Sequence, residues 1–401
     1  MTGHATIAVV GAGVVGAVTA LMLHRAGVDV VVLEQRPPEA VAPTVGTLGE
    51  DLRTWALSPA SLALLDELDV WDASCRAASC SYHGMEVWDG EGTGRISFTA
   101  AEAQVPELGR ILPNQVLVTR LWDALARDGI RCVDGRAVVA FEAAATRSTL
   151  TLDDATTLTA GLVVAADGGD SKMRDLAGIE VDEEDTGQRA IATLAVIRQP
   201  HEATAWQRFL PTGPLAFLPL PDRAGQHRVS VVWSLDAEQA AAVEALDDAA
   251  FATALDDAIE GRFGGIAAVD RRLGFPLRQR HARRYRSLGL VLVGDAAHVL
   301  HPLAGQGVNL GLKDAKVLLH ELRPHLRSGR CAALGDPDLL YHYERIRRGE
   351  NAIMLRAMSG LKRLFGADDL GLRWARNQGL RWVDDLPVVK RELLRQALGR
   401  A

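Results

Sequence analysis

The chain has 401 residues, 48% of them hydrophobic, enough for two or three domains with substantial cores. Its formal net charge of −7 argues against nucleic-acid binding, and no stretch approaches the ~18 consecutive apolar residues of a membrane span. Cys75, Cys80, Cys132 and Cys331 form no C-x-x-C pair, so the expectation is a cytoplasmic protein with reduced thiols and no bound metal.

Residues 6–10 are an apolar, β-branched run ending at Gly11. Residues 14–26 have helical character and stop at Gly27, and residues 29–33 form another short apolar strand. This β-α-β unit predicts parallel strands joined by a right-handed crossover. Gly11-Ala12-Gly13-Val14-Val15-Gly16 fits G-x-G-x-x-G at the strand-to-helix junction. Gly11 permits a tight turn, Gly13 lets a pyrophosphate approach the backbone, and Gly16 lets helix and strand pack closely. The helix opening at Val14 and Val15 presents free N–H groups and a favourable dipole to phosphates. Glu34, at the end of the second strand, is placed to accept hydrogen bonds from ribose hydroxyls. A tight turn with no ligand is the plainer alternative, which the flanking strands and Glu34 disfavour.

Residues 161–166 form a similar strand leading into Asp167-Gly168-Gly169-Asp170, and residues 288–293 lead into Gly294-Asp295. Three buried strands, each ending in a Gly/Asp turn, predict one nucleotide site assembled from distant segments. Between them, residues 193–196, 216–220 and 228–235 read as strands of a separate sheet, and the Ala- and Asp-rich residues 240–254 as a solvated helix. From Tyr341 the pattern is helical and amphipathic, with Leu361, Leu364 and Phe365 on one face beside Lys362 and Arg363. Residues 341–401 hold 13 Lys and Arg against 7 Asp and Glu, a basic tail on an acidic body.

The most specific segment runs through Gly294, Asp295, His298, His301, Pro302, Gly305, Gln306, Gly307, Val308, Asn309 and Gly311. Asp295, at the end of a buried strand, suits a polyol such as the ribityl chain that FAD has and NAD lacks; an N-cap is the alternative. Residues 308–322 read as a helix whose first-turn amides point over the Gly305-Gln306-Gly307 turn. There the dipole would favour negative charge developing on a reduced flavin. His298 and His301 have no third ligand at a sensible spacing, so they are not read as a metal pair.

On these motifs the chain resembles the ubiquinone-biosynthesis flavin hydroxylases, within the class typified by para-hydroxybenzoate hydroxylase. The Asp167–Arg174 stretch is similar to that class's D-G motif and the Gly294–Gly311 stretch to its G-D motif. Residues 53–58, 206–220, 275–277 and 372–380 extend the likeness over nearly the whole chain. The resemblance implies an α/β protein: a Rossmann-like FAD-binding domain with an inserted mixed β-sheet substrate domain and a helical C-terminus. The expected FAD domain covers residues 1–75, 110–180 and 282–345, the substrate domain 76–109 and 181–281, and the C-terminal region 346–401.

The implied activity is hydroxylation of a phenolic ring with FAD, NAD(P)H as co-substrate and O2, through a flavin C4a-hydroperoxide. By matching position, Arg53 and Gln115 or Arg120 would contact the FAD diphosphate or flavin, Glu34 the adenosine ribose, and Asp295 the ribityl region. Pro113 replaces the branch's usual acidic residue, so Gln115, Thr119 and Arg120 stay open as alternatives. Trp206, Phe209, Phe217, Leu218 and Pro219 are the expected wall of the substrate pocket, with plain sheet core as the competing reading. No side chain is assigned as acid or base. A polyprenylated substrate would need a route from lipid, which the basic amphipathic tail admits as a peripheral membrane, lipid-carrier or complex contact; a packed helix with a solvated face is the alternative. The rival functions are a hydroxylase of another specialised phenol, a non-catalytic flavoprotein assembly factor, and a flavin halogenase, whose W-x-W-x-I-P signature is absent.

Overall fold

The computed structural model describes residues 3–37, 46–49, 51–300, 306–327, 334–366, 377–379, 382 and 386–399. Strand β1 (Gly3–Val10), helix α1 (Val14–Arg25) and strand β2 (Val30–Glu34) are the expected crossover unit, with Ile7 to Val10 running parallel to Val30 to Leu33. Ala5, Ile7, Ala8 and Val9 are wholly buried, as a central parallel strand covered on both faces requires. Each such Val or Ile contributes about 1.5–3 kcal/mol.

The chain then runs through β3 (Thr54–Leu57), α2 (Pro59–Glu67), α3 (Ala73–Ala78), β4 (Cys80–Tyr82), β5 (Gly84–Asp89), β6 (Arg95–Thr99) and β7 (Gly109–Pro113). It returns through α4 (Asn114–Arg127), β8 (Arg131–Asp134), β9 (Val138–Glu142), β10 (Ser148–Leu152), β11 (Thr157–Ala165) and the short α5 (Lys172–Leu176).

A second sheet follows: β12 (Val181–Ile197), β13 (Thr204–Leu210), β14 (Gly213–Arg223), β15 (Gln226–Asp236), β16 (Ile266–Val269) and β17 (Leu273–Ala282), with α6 (Ala237–Glu244) and α7 (Asp248–Ala258) between β15 and β16. Its central order is β17-β12-β15-β14-β13, and β5 and β6 extend it, β5 lying parallel to β13. Residues 240–254 differ from the expected single solvated helix. Asp247 caps the start of α7 by accepting from the Ala250 N–H at 2.8 Å, which breaks the run, and Ala240, Phe251 and Leu255 are buried. Strand alternation assigns the two faces of this sheet. Ile191, Phe217, Val231 and Trp233 pack with Phe251 and Phe263, whereas Leu194 and Leu220 face the other way and meet Leu52, Ala56 and Ile111.

The chain rejoins the first sheet at β18 (Arg286–Ser287) and β19 (Leu290–Leu292). The two-residue β20 (His298–Val299), α8 (Gln306–Arg327), α9 (Tyr341–Gly366) and α10 (Pro387–Ala397) complete the described elements. The first sheet has the order β18-β19-β11-β1-β2-β8, parallel from β19 to β8. Its neighbouring strand ends are stitched together: Gly11 donates to Leu33, Ala166 to Val10 and Val293 to Ala165. In the tail, Phe365 is buried and stacked on Phe209 at 4.1 Å, while Leu361 is exposed. Leu394 and Leu398 pack on Ala100, Val105 and Leu108. Among the described residues, no helix is long and apolar enough to cross a membrane.

Candidate active site

In an open parallel sheet, ligands bind beyond the carboxyl ends of strands that continue in opposite directions from the centre. Here the strands flanking β1 are β2 and β11, so the turns after β1, β2, β11 and β19 converge. These turns carry Gly11, Glu34, Asp167 and Asp295.

Two glycines are sterically required. Gly11 has φ +98°, and a Cβ there would lie 2.3 Å from the Ala166 carbonyl oxygen; at Gly16 it would lie 1.9 Å from the Gly11 carbonyl oxygen. Gly13 is different, because a Cβ there would meet no protein atom within 4 Å. The turn is held from both sides. Glu34 Oε2 accepts from the Ala12 N–H at 2.6 Å, and Trp122 Nε1 donates to the Ala12 carbonyl at 3.2 Å. Val14 is buried, and half-buried Val15 packs its methyls against Gly294 and Gly311, joining this turn to the Gly294 turn and to α8.

Asp167 closes on its own segment, accepting from Ser171 Oγ at 2.5 Å and from the Met173 N–H at 3.0 Å. Burial pushes its pKa up, and these bonds oppose that. Gly168 turns the chain at φ +86°. Arg174, 4% exposed, bridges this segment to the next by donating to the carbonyls of Gly169 and Ala296 at 3.0 and 3.3 Å.

Asp295 lies in a 3-10 turn, Gly294–Ala296, capped by Val293 without a side-chain bond. Its carboxylate has no hydrogen-bond partner among the described residues and is reached by solvent, yet the surrounding protein desolvates it enough to raise its pKa. His298, 2.7 Å from Asp314 through Nε2, is fully buried and serves that turn. Pro302, Gly305 and His301 lie outside the described residues.

The remaining expected contacts separate into two groups. Arg53 is exposed, and its guanidinium has no partner among the described residues; its N–H and that of Gln115 both donate to buried Asp51, each at 3.0 Å. Gln115, exposed in the first turn of α4, shares a face of that helix with Trp122, seven positions later. Arg120 lies on another face, paired with Asp123 at 3.1 Å and Asp72 at 3.7 Å. Gln306, Gly307, Val308 and Asn309 form the first turn of α8, where amides lack helical acceptors. The Asn309 side chain is used within the protein: it accepts from the Ser58 N–H at 3.0 Å and from Ser61 Oγ at 2.7 Å, and donates to the Ala56 carbonyl at 2.9 Å. It therefore locks the end of β3 to α8.

The expected substrate wall needs correction. Trp206 and Phe217, 6% and 0% exposed, lie on the helix-covered face of the second sheet, where Arg262 stacks over Trp206 at 3.6 Å and Phe263 closes the cluster. They are sheet core. Phe209 packs on the C-terminal helix, and Pro219 is buried. Leu218 alone of the five is half-buried on the opposite face, with Ala216, Val232 and Phe275. That face turns toward β3, where Thr54 Oγ1 lies 2.9 Å from Ser230 Oγ. Period-two alternation within residues 206–220 was the available signal; which parity would be covered by helices was not.

Among known proteins, the FAD binding domain family matches residues 4–356. The 3-demethoxyubiquinol 3-hydroxylase of Escherichia coli (strain K12) is 36% identical over 401 residues, covering the whole of both chains. The chain belongs to the FAD-dependent hydroxylases of ubiquinone biosynthesis. Ubiquinone hydroxylase UbiL of Rhodospirillum rubrum is 34% identical over 98% of this chain and 90% of that one. The human mitochondrial ubiquinone biosynthesis monooxygenase COQ6 is 30% identical over 97% and 91%. The fold is that of p-nitrophenol 4-monooxygenase PnpA from Pseudomonas putida DLL-E4, with a TM-score of 0.76 at 22% identity over 99% of this chain and 98% of that one. This flavin hydroxylase is thus a monooxygenase that takes FAD as cofactor.

The residues fit that cofactor. Open space beside Gly13, and a carboxylate at Asp295 and a guanidinium at Arg53 that have no partner among the described residues, are the donor and acceptor types that a diphosphate and a ribityl chain call for.

Proposed function

We propose that the protein hydroxylates the aromatic ring of a polyprenylated phenol in ubiquinone biosynthesis, using NAD(P)H and O2. The observation that carries this is similarity to a 3-demethoxyubiquinol 3-hydroxylase that covers the whole of both sequences at 36% identity. FAD supplies the electron transfer and oxygen chemistry when bound. Glu34, Arg53, Gln115, Asp295 and the first-turn amides of α8 hold it; Ala216, Leu218, Val232 and Phe275 face the ring and exclude water.

No Asp, Glu, His or Lys occurs on that face within residues 188–194, 214–220, 228–234 and 273–277. The protein's part there is placement of the ring in a dry, apolar slot. A deletion strain analysed by mass spectrometry tests the reading: a quinone precursor one hydroxyl short should accumulate, and an unchanged quinone profile overturns it. Purified protein that binds FAD but oxidises no NAD(P)H with any phenol supports the assembly-factor alternative instead.

A long-tailed substrate needs a lipid or carrier contact, and Ile353, Leu386 and Leu393, at 69%, 51% and 43%, are among the exposed apolar groups of the tail that offer one. Replacing all three by Asp should abolish co-flotation with anionic liposomes; unchanged flotation removes this part of the proposal.

A further inference from the structure

Asp295 is exposed at the carboxyl end of β19 with no hydrogen-bond partner among the described residues, so its direction depends on what holds its turn in place. The groups that do so form a buried ionic cluster. Asp314 Oδ2, in the middle of α8, accepts from the Gly294 N–H at 2.9 Å and lies 2.7 Å from His298 Nε2. One carboxylate oxygen therefore grips the residues on either side of Asp295, at the two ends of a five-residue turn. Its other oxygen accepts from Arg347 Nε at 2.6 Å, and Asp314, His298 and Arg347 are all 0% exposed.

Arg347 belongs to α9, outside the Gly-rich, D-G and G-D segments. It also donates to the Leu310 carbonyl at 3.3 Å, to Asn351 Oδ1 at 3.2 Å and to Glu350. The same helix holds the strand leading into the turn, because Tyr343 donates to the Leu292 carbonyl at 2.8 Å. Asn351 reaches Tyr285 OH at 3.2 Å, and that hydroxyl lies 3.0 Å from His281.

Burying charges is costly, and a buried ion pair of this kind is commonly replaceable by apolar residues without loss of stability. Stability alone is therefore a weak reason for charge here. What apolar side chains cannot do is accept the Gly294 N–H and the His298 ring N–H together, and so set the angle of the turn. We propose that Asp314 is a positioning residue for FAD: with Arg347 behind it, it clamps the Gly294–His298 turn so that Asp295 presents its carboxylate to the cofactor. This rests on the placement of Asp295 against FAD. Burial alone would raise the Asp314 pKa, and pairing with His298 and Arg347 outweighs it, so the group is held below the ordinary carboxylate range and stays an acceptor at neutral pH.

The experiment compares full-length wild type with Asp314→Asn, with the apolar pair Asp314→Leu/Arg347→Met, and with Asp295→Asn alone and combined with Asp314→Asn. FAD dissociation constants are read from flavin fluorescence, the environment of bound flavin from its visible absorption and dichroism, and Tm from the apoproteins. Positioning predicts about a tenfold weaker FAD affinity and an altered flavin spectrum in both Asp314→Asn and the apolar pair. The apolar pair, which removes both charges together, should lower Tm by less than Asp314→Asn, which leaves Arg347 buried without its anion. In the Asp295→Asn background, Asp314→Asn should weaken binding by less than about twofold, because coupled residues are not additive. Wild-type affinity and spectrum in the apolar pair, or full additivity with Asp295→Asn, overturns the proposal. Should Asp314→Asn fail to fold, affinity in the apolar pair decides it. Wild-type protein that takes up no FAD overturns the cofactor placement itself, a result distinguishable from altered affinity in the variants alone.

Discussion

The two sheets use their residues in opposite ways. At the carboxyl end of the first sheet, the groups suited to a ligand are backbone amides and a few side chains on turns, and each turn is tied to another: Ala12 to Glu34 and Trp122, Gly169 to Ala296 through Arg174, and Gly294 to Asp314. The second sheet has no such set of turns: its helix-free face presents Ala216, Leu218, Val232 and Phe275 beside Ser230, and which alternate residues lie there follows from the face that the helices cover. A site made of turns is disrupted by any added atom that moves the backbone. A site made of a sheet face tolerates exchange of side chains and changes its selectivity.

The largest expected effect of breaking that contrast is at Gly16. Gly16→Ala places a methyl 1.9 Å from the Gly11 carbonyl oxygen, which only a shift of the whole turn relieves. Purified protein should be colourless and bind no added FAD, with stability lowered by about 1–3 kcal/mol in chemical denaturation. Retention of yellow protein would show the turn to be more yielding than the packing implies.

Next come the two faces of the second sheet, probed on β14 and β15. Phe217→Ala empties a site in the covered core and should cost about 3–5 kcal/mol while leaving KM for the aromatic substrate unchanged. Val232→Phe, on the uncovered face, should change stability by less than about 1 kcal/mol and raise KM several-fold. The reverse pattern would exchange the assignment of the faces.

At Arg53 the guanidinium is exposed and unpartnered among the described residues, so Arg53→Ala should weaken FAD binding about tenfold in titration with scarcely any change in Tm. A change in Tm with FAD affinity intact would mark it as an ordinary structural arginine.

The smallest effect concerns pH. Burial lowers the His281 pKa from 6.5 to about 4, with the neighbouring His298 and Arg348 adding to the shift. The unfolded chain thus binds a proton that the folded chain does not between about pH 4 and pH 6.5. Stability should fall with acidity across that window and be insensitive to this group above it. His281→Gln should flatten that part of a Tm-against-pH curve, and an unchanged slope would assign acid destabilisation to other groups.

Much of the nucleotide-binding half was legible because its chemistry is local. Turns, caps and close approaches demand particular residues at fixed spacing, and Gly11, Gly16, Glu34 and Asp295 could be named from that alone. Asp314 left a fainter trace, an acidic residue among the buried positions Val308, Leu312, Ala315 and Leu319 of an amphipathic helix, which marks a group needing a partner without naming it. Arg347 left none, since its partner Asp314 lies far away in sequence, and the D-G motif marked Arg174 without revealing its bond to Ala296. The covered parity of the second sheet also escaped, and with it the substrate wall.

By itself the sequence determined the β-α-β unit, the strands that end in Gly/Asp turns and the family to which they point. These follow from backbone sterics and periodicity, which act over a few residues. Tertiary structure decided which sheet face the helices cover, that Arg120 is paired with Asp123 and Asp72, and that α9 reaches the Asp295 turn through Arg347 and Asp314. Those outcomes depend on how separate elements bury one another, and burial is a property of the assembled layers.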